Sequence, residues 1–197
     1  MISPNVNQPS IAASPHFANL TEATAPAAAK PLLAAARDLF GFVPNLAVVM
    51  AAEPATLESY FHSLKAFGET SLNPVEQQVV LMAVSRANNA DYSLAVHAAL
   101  AEKLGATADT IKGVGTGGAL QDQKLAALRR FAELLTFGRG QVRNTDIEAF
   151  LAAGYDRRAV VAVAFGVAVK TFANALAHLA QTPVDAPFAP ALANFQR

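Results

Sequence analysis

Apolar residues recur at three- and four-residue spacing in segment after segment, opened by a capping signal, closed by a glycine, or both. Leu57, Tyr60, Phe61, Leu64 and Phe67 lie between Pro54 and Gly68, a helix start and stop in the expected places. Asn73, Pro74 and Glu76 spell an N-cap, a first helical residue and a capping-box partner for a helix running to about Ala87. Leu94, Ala98, Ala101 and Leu104 share one face of the next helix, which ends at Gly105. Leu125, Leu128, Ala132 and Leu135 stripe a longer one closed by Gly138. Thr145 with Glu148 spells a second capping box with Gly154 as its stop, and Asp156 is placed to cap a last apolar stretch reaching Leu179. No segment alternates as a strand would, so the expected fold class is all-α.

At 197 residues the chain can bury a sizeable core without staples, and it has no cysteine with which to make one. Residues 1–25, rich in Pro, Ser, Asn and Ala, read as an extended arm, and 26–197 as a single helical domain. An 81-residue offset lays Val79 on Val160, Ala83 on Ala164 and His97 on His178, which suggests repeat halves at about 54–118 and 120–185. Hydrophobic residues make up 53% and charged residues 15%, a charge density low enough that a homo-oligomer is expected. Fifteen basic and fifteen acidic side chains leave no electrostatic footprint for nucleic acid or an anionic membrane, and neither is expected as a partner. The start does not read as a secretory signal, and the apolar run Ala159 to Val169 is too short for a bilayer; the expected location is cytoplasmic.

The stretch Asn73 to His97, NPVEQQVVLMAVSRANNADYSLAVH, carries the chemistry. An acid-capped apolar helix leads through Asn88 and Asn89 into a second helix whose first turn holds Ala90 and Ser93, with His97 one turn later. Here the chain resembles the alkylhydroperoxidase D-like and carboxymuconolactone decarboxylase superfamily, whose signature is a Glu, a Cys-x-x-Cys twelve residues on, and a His four residues after the second Cys. GFVPNL at Gly41 to Leu46, FLAAGY at Phe150 to Tyr155, and Asn174, His178, Thr182, Pro183 and Asp185 resemble its peroxidase-related branch. The resemblance runs from about residue 30 to the end and implies a helical bundle of two related hairpins, a homo-oligomer, and antioxidant peroxidase or lactone-decarboxylase chemistry.

The motif itself is altered. The cysteine positions hold Ala90 and Ser93, and the Glu position holds Gln78, with Glu76 two residues off; His97 alone remains. In such a site the helix N-terminus favours a thiolate while Glu and His relay protons. Alanine has no nucleophile and a serine hydroxyl forms neither sulfenic acid nor disulfide, so peroxide reduction by that route is not expected. Three readings remain open: a cysteine-independent enzyme on a small carbonyl or lactone-like acid, a non-catalytic binding or structural oligomer, and an inactivated antioxidant peroxidase, whether by natural change or by deliberate cysteine replacement. In the first, His97 is the acid/base, and Gln78, Tyr92 and Ser93 position a small-molecule ligand. The bland reading of His97, on the face of Leu94 and Ala98, is a hydrogen-bonded core histidine.

Thr171, Asn174 and His178 form a polar stripe at helical spacing, read either as a hydrogen-bond network between helices or subunits or as part of the pocket lining. No cofactor is expected, and no metal: His97 and His178 lack a third ligand, with His16 in the arm and His62 on an exposed helix face. Gly113, Gly115 and Gly118 spell GxGxxG, but no strand precedes them, so they read as a flexible loop.

Overall fold

The computed structural model describes residues 14–17 and 20–195; among them are ten α-helices, a short 3-10 helix at Ala27–Ala29, and no strand. The helices are α1 (Lys30–Phe40), α2 (Asn45–Met50), α3 (Pro54–Gly68), α4 (Pro74–Ala87), α5 (Asp91–Lys103), α6 (Ala108–Thr116), α7 (Gln123–Phe137), α8 (Asn144–Ala152), α9 (Arg157–Ala180) and α10 (Ala189–Ala193). The expected all-α class is what the chain adopts. Most of the proposed N-terminal arm lies outside the described residues; Ser14 in it is buried and donates its backbone N–H to Ala180 O at 3.1 Å.

The molecule is organised around α4, whose residues Glu76 to Ser85 are all buried. A helix buried all round cannot be amphipathic, and α4 is covered by α5, α6, α7 and α9. Its start is the expected capping box: Asn73 Oδ1 accepts from Glu76 N, and Glu76 Oε2 accepts from Asn73 N, both at 2.9 Å. One core gathers α4, α7, α8 and the first half of α9; a second joins α1, α2 and α3 to Tyr92 and the second half of α9.

Two local expectations are corrected. The cap of α8 lies two residues before Thr145 and Glu148: Asp146 accepts from the Arg143 backbone and guanidinium, and that pair sets the helix start. Gly113 and Gly115 are not loop residues but sit within α6, where Leu120 and the Phe195 ring occupy the space that a side chain at either position would need.

The 24-residue α9 has the length and apolar composition of a membrane-crossing helix, but its inner face packs against α2, α3, α4, α5 and α7. Gly166 permits that approach: a Cβ there would lie 2.7 Å from the Phe67 ring and 3.0 Å from Val80. One turn later the same inner face presents Lys170. In the first half the turn at Asn88–Ala90 divides α4 from α5, whereas residues 169–171, at the 81-residue offset, lie inside unbroken α9.

Candidate active site

The turn between α4 and α5 sets the site. Asn89 takes a left-handed conformation (φ 53°), and Ala90 N donates to Ser85 O at 2.8 Å, which brings the start of α5 back along α4. Ala90 is thereby buried at the helix start with its methyl group and no functional atom. Ser93 and His97 are buried on α5, and Gln78 on α4 reaches across to His97: Gln78 Oε1 lies 2.9 Å from His97 Nδ1.

That contact orients the imidazole. An amide oxygen facing Nδ1 requires Nδ1 to carry the proton and donate, which leaves Nε2 as the basic nitrogen. His97 Nε2 is buried and has no partner, and the same holds for Ser93 Oγ. Ser93 and His97, one turn apart, therefore do not form a hydrogen-bonded Ser–His pair. Both line a cavity of about 90 Å³. Its mouth is formed by half-buried Phe40, Pro44, Phe61, Leu64, Val96 and Leu100, and its floor by buried Ser93, His97 and Lys170. Five helices, α1, α2, α3, α5 and α9, contribute to it. A mostly apolar hollow with a few convergent polar atoms is what a small-molecule site requires.

Lys170 is the cavity residue that sequence reasoning passed over. Its side chain is buried, and Nζ donates to the Tyr60 hydroxyl at 3.1 Å. Burial pushes its ammonium down to about 7. His97 is held well below the usual histidine range, first by burial and then by the neighbouring charge of Lys170, so the imidazole is neutral at neutral pH. Burial alone pushes the Tyr60 phenol up, keeping it protonated. A signal for Lys170 did exist: it falls at the spacing of the buried residues Gly166, Ala173 and Ala177, and it is the single Lys or Arg after Arg158 in α9. A cation on the buried stripe of an apolar helix is the anomaly to look for.

Tyr92 lines the cavity, but its hydroxyl is engaged elsewhere, donating to Asp185 Oδ2 at 2.8 Å and accepting from Leu46 N at 3.2 Å. Asp185 Oδ1 accepts from Asn45 N, and Pro183 O from Asn45 Nδ2, both at 3.0 Å. The GFVPNL and Thr182-Pro183-x-Asp185 segments thus bind each other across Tyr92 and form one wall. Burial pushes the Tyr92 phenol up first, and the Asp185 carboxylate adds to it. Glu76 is likewise structural: besides its capping role, Oε1 accepts from Tyr155 OH at 3.1 Å and pairs with Lys124 at 3.3 Å.

The polar stripe on α9 lies away from the cavity lining. Asn174 Nδ2 donates to Val84 O at 3.5 Å, His178 Nε2 lies 2.9 Å from Asn88 O, and Thr171 is exposed. Val84 O already accepts from Asn88 N at 3.0 Å, so Asn174 adds a second donor there, while His178 engages the carbonyl of the residue that ends α4. Among the described residues no three His, Asp or Glu side chains are grouped as a metal site would need.

Fold and site together define an all-helical protein built around an α4–α5 hairpin, with a polar centre where the two helices meet. Residues 51–134 match the model of the Carboxymuconolactone decarboxylase family. The fold is shared with an alkylhydroperoxidase AhpD core structure, an uncharacterized peroxidase-related protein from Ralstonia eutropha JMP134, at TM-score 0.77 and 20% identity over 85% of this chain and 90% of that one. An uncharacterized peroxidase-related protein from Silicibacter sp. TM1040 superposes at TM-score 0.76 and 19% identity, covering 86% and 92%. The debrominase Bmp8 does so at 0.73 and 14%, covering 85% and 91%. No curated protein sequence matches the chain. Over residues 51–134 the chain is thus similar to the carboxymuconolactone decarboxylase family, and over most of its length it shares the alkylhydroperoxidase D-like fold.

Proposed function

We propose that this protein is a cysteine-independent enzyme acting on a small carbonyl compound or lactone-like acid, with His97 as general acid/base. The observation that carries the reading is the orientation of His97: Gln78 holds Nδ1, Nε2 is left without a partner, and the residue lines a cavity together with Ser93 and Lys170. A neutral imidazole with a fixed tautomer is ready to take a proton from a bound substrate and return it later in the cycle. A site filled by apolar side chains would have supported a non-catalytic oligomer; the cavity supports chemistry instead. A cysteine-to-alanine variant of Bmp8 holds 2,3,4-tribromopyrrole, a small ring compound, which supports small-molecule work on this fold.

The test uses a γ-lactone carboxylic acid and a β-keto acid as probes, with turnover followed by proton NMR. His97→Gln is expected to lower kcat/KM by about 10²- to 10⁴-fold, the usual contribution of a positioned acid/base group. Equal turnover by His97→Gln and the wild type would show that His97 is not the acid/base.

The proposal includes assembly as a cytoplasmic homo-oligomer. Val161, Ala164, Ala168, Phe172, Ala175 and Leu179 share the exposed side of α9, an apolar strip that suits a second copy of this chain, given its low charge density.

A further inference from the structure

Among the described residues the buried charged side chains are Glu76, Asp185 and Lys170, and they differ in how they are satisfied. Glu76 meets Lys124, Tyr155 and a backbone N–H; Asp185 meets Tyr92 and Asn45 N. Lys170 Nζ has the Tyr60 hydroxyl, and no carboxylate forms an ion pair with it among the described residues. An unpaired ammonium surrounded by apolar side chains is among the costliest groups a protein can bury, and a methionine would fill the space without that cost. As a neutral amine, the same side chain is a nucleophile.

We propose that Lys170 is a nucleophilic amine that condenses with a small aldehyde or ketone in the cavity to form an imine. This deepens the reading of the same site as acting on small carbonyl compounds, and rests on it. The Nζ lone pair adds to the carbonyl carbon, forming the C–N bond, and the carbonyl oxygen takes a proton to give a carbinolamine. His97 Nε2 accepts the remaining nitrogen proton and passes it to the departing hydroxyl. The C–O bond breaks and one water leaves, so amine plus carbonyl gives imine plus water with no oxidant or reductant. The Tyr60 hydroxyl, 3.1 Å from Nζ, holds the amine in place. The apolar mouth suits a carbonyl compound with a hydrocarbon substituent.

The chain supplies its own controls, because its five other lysines, Lys30, Lys65, Lys103, Lys112 and Lys124, are all exposed. Full-length protein is incubated with isobutyraldehyde or cyclopentanone and sodium cyanoborohydride near neutral pH, then digested for peptide mass mapping. Reductive trapping is expected at Lys170 at least about tenfold above any exposed lysine. Lys170→Arg should lose that adduct while the exposed sites label as before. Labelling of wild-type Lys170 at or below the level of the exposed lysines would overturn the proposal, whatever the variant does. The two ideas fail separately. A wild-type adduct at Lys170 with turnover unaffected by His97→Gln would sink the role of His97 alone; no adduct with His97-dependent turnover would sink Lys170 alone.

Discussion

At the scale of single residues, two buried bases lining the cavity make the stability of this protein depend on pH. Burial lowers Lys170 from 10.5 to about 7 in the folded chain. Above 10.5 it is neutral folded and unfolded, and burial carries no charge penalty. Between 10.5 and about 7 the unfolded chain binds a proton that the folded chain does not, so stability falls as pH falls. Below about 7 the folded chain is protonated as well and the penalty stands at its full value. Lys170→Met is therefore expected to stabilise the protein by several kcal/mol in mildly acidic urea melts, with the gain shrinking towards zero as pH rises through that window. A gain independent of pH would show that the ammonium is not desolvated. His97, also lowered by burial, acts in a separate window: the unfolded chain takes its proton first as pH falls below 6.5, and stability is lost there. The contact of Gln78 with His97 was not legible in the sequence. Nineteen residues and a turn separate them, and their meeting depends on how α5 folds back on α4.

At the scale of elements, conserving the shape of the site falls to segments that never touch it. Phe131, Phe150 and Tyr155 form a continuous ring stack, with centroids 4.4 Å apart at both steps, and Lys124 Nζ lies 4.6 Å over the Tyr155 ring. The stack ties α7 and α8 to the start of α4 through the Tyr155–Glu76 hydrogen bond. Gly154, at φ 95°, makes the turn that delivers Tyr155. Phe150→Ala is expected to cost about 3–5 kcal/mol in denaturant melts. Tyr155→Phe should cost about 1 kcal/mol, because Glu76 keeps Lys124 and its capping bond. Equal losses would place the stabilisation in the hydroxyl rather than in the ring stack. Helix starts were readable where one side chain reaches one nearby N–H, as at Asn73 and Asp156. They were misread at α8, where the Arg143–Asp146 ion pair outcompeted the hydroxyl cap offered by Thr145.

At the scale of the whole molecule, α9 looks both ways. Its inner face closes the two cores and carries Lys170; its outer face leaves Val161 at 69% and Leu179 at 67% exposure. Val161→Glu combined with Leu179→Glu is expected to yield a smaller species than the wild type by multi-angle light scattering, with the helical circular dichroism unchanged. An unchanged mass would remove α9 from the interface. By itself the sequence determined the all-α class, most helix limits and the absence of thiol chemistry, because capping, periodicity and side-chain chemistry are local properties read within one or two turns. Only the tertiary structure decided which polar residues share a space. Gly166 brings α9 against α3 and α4, and that approach sets Lys170 beside His97, far apart in the chain, in a hollow too apolar to solvate a charge. An amine's reactivity depends on that solvation, which no local pattern encodes.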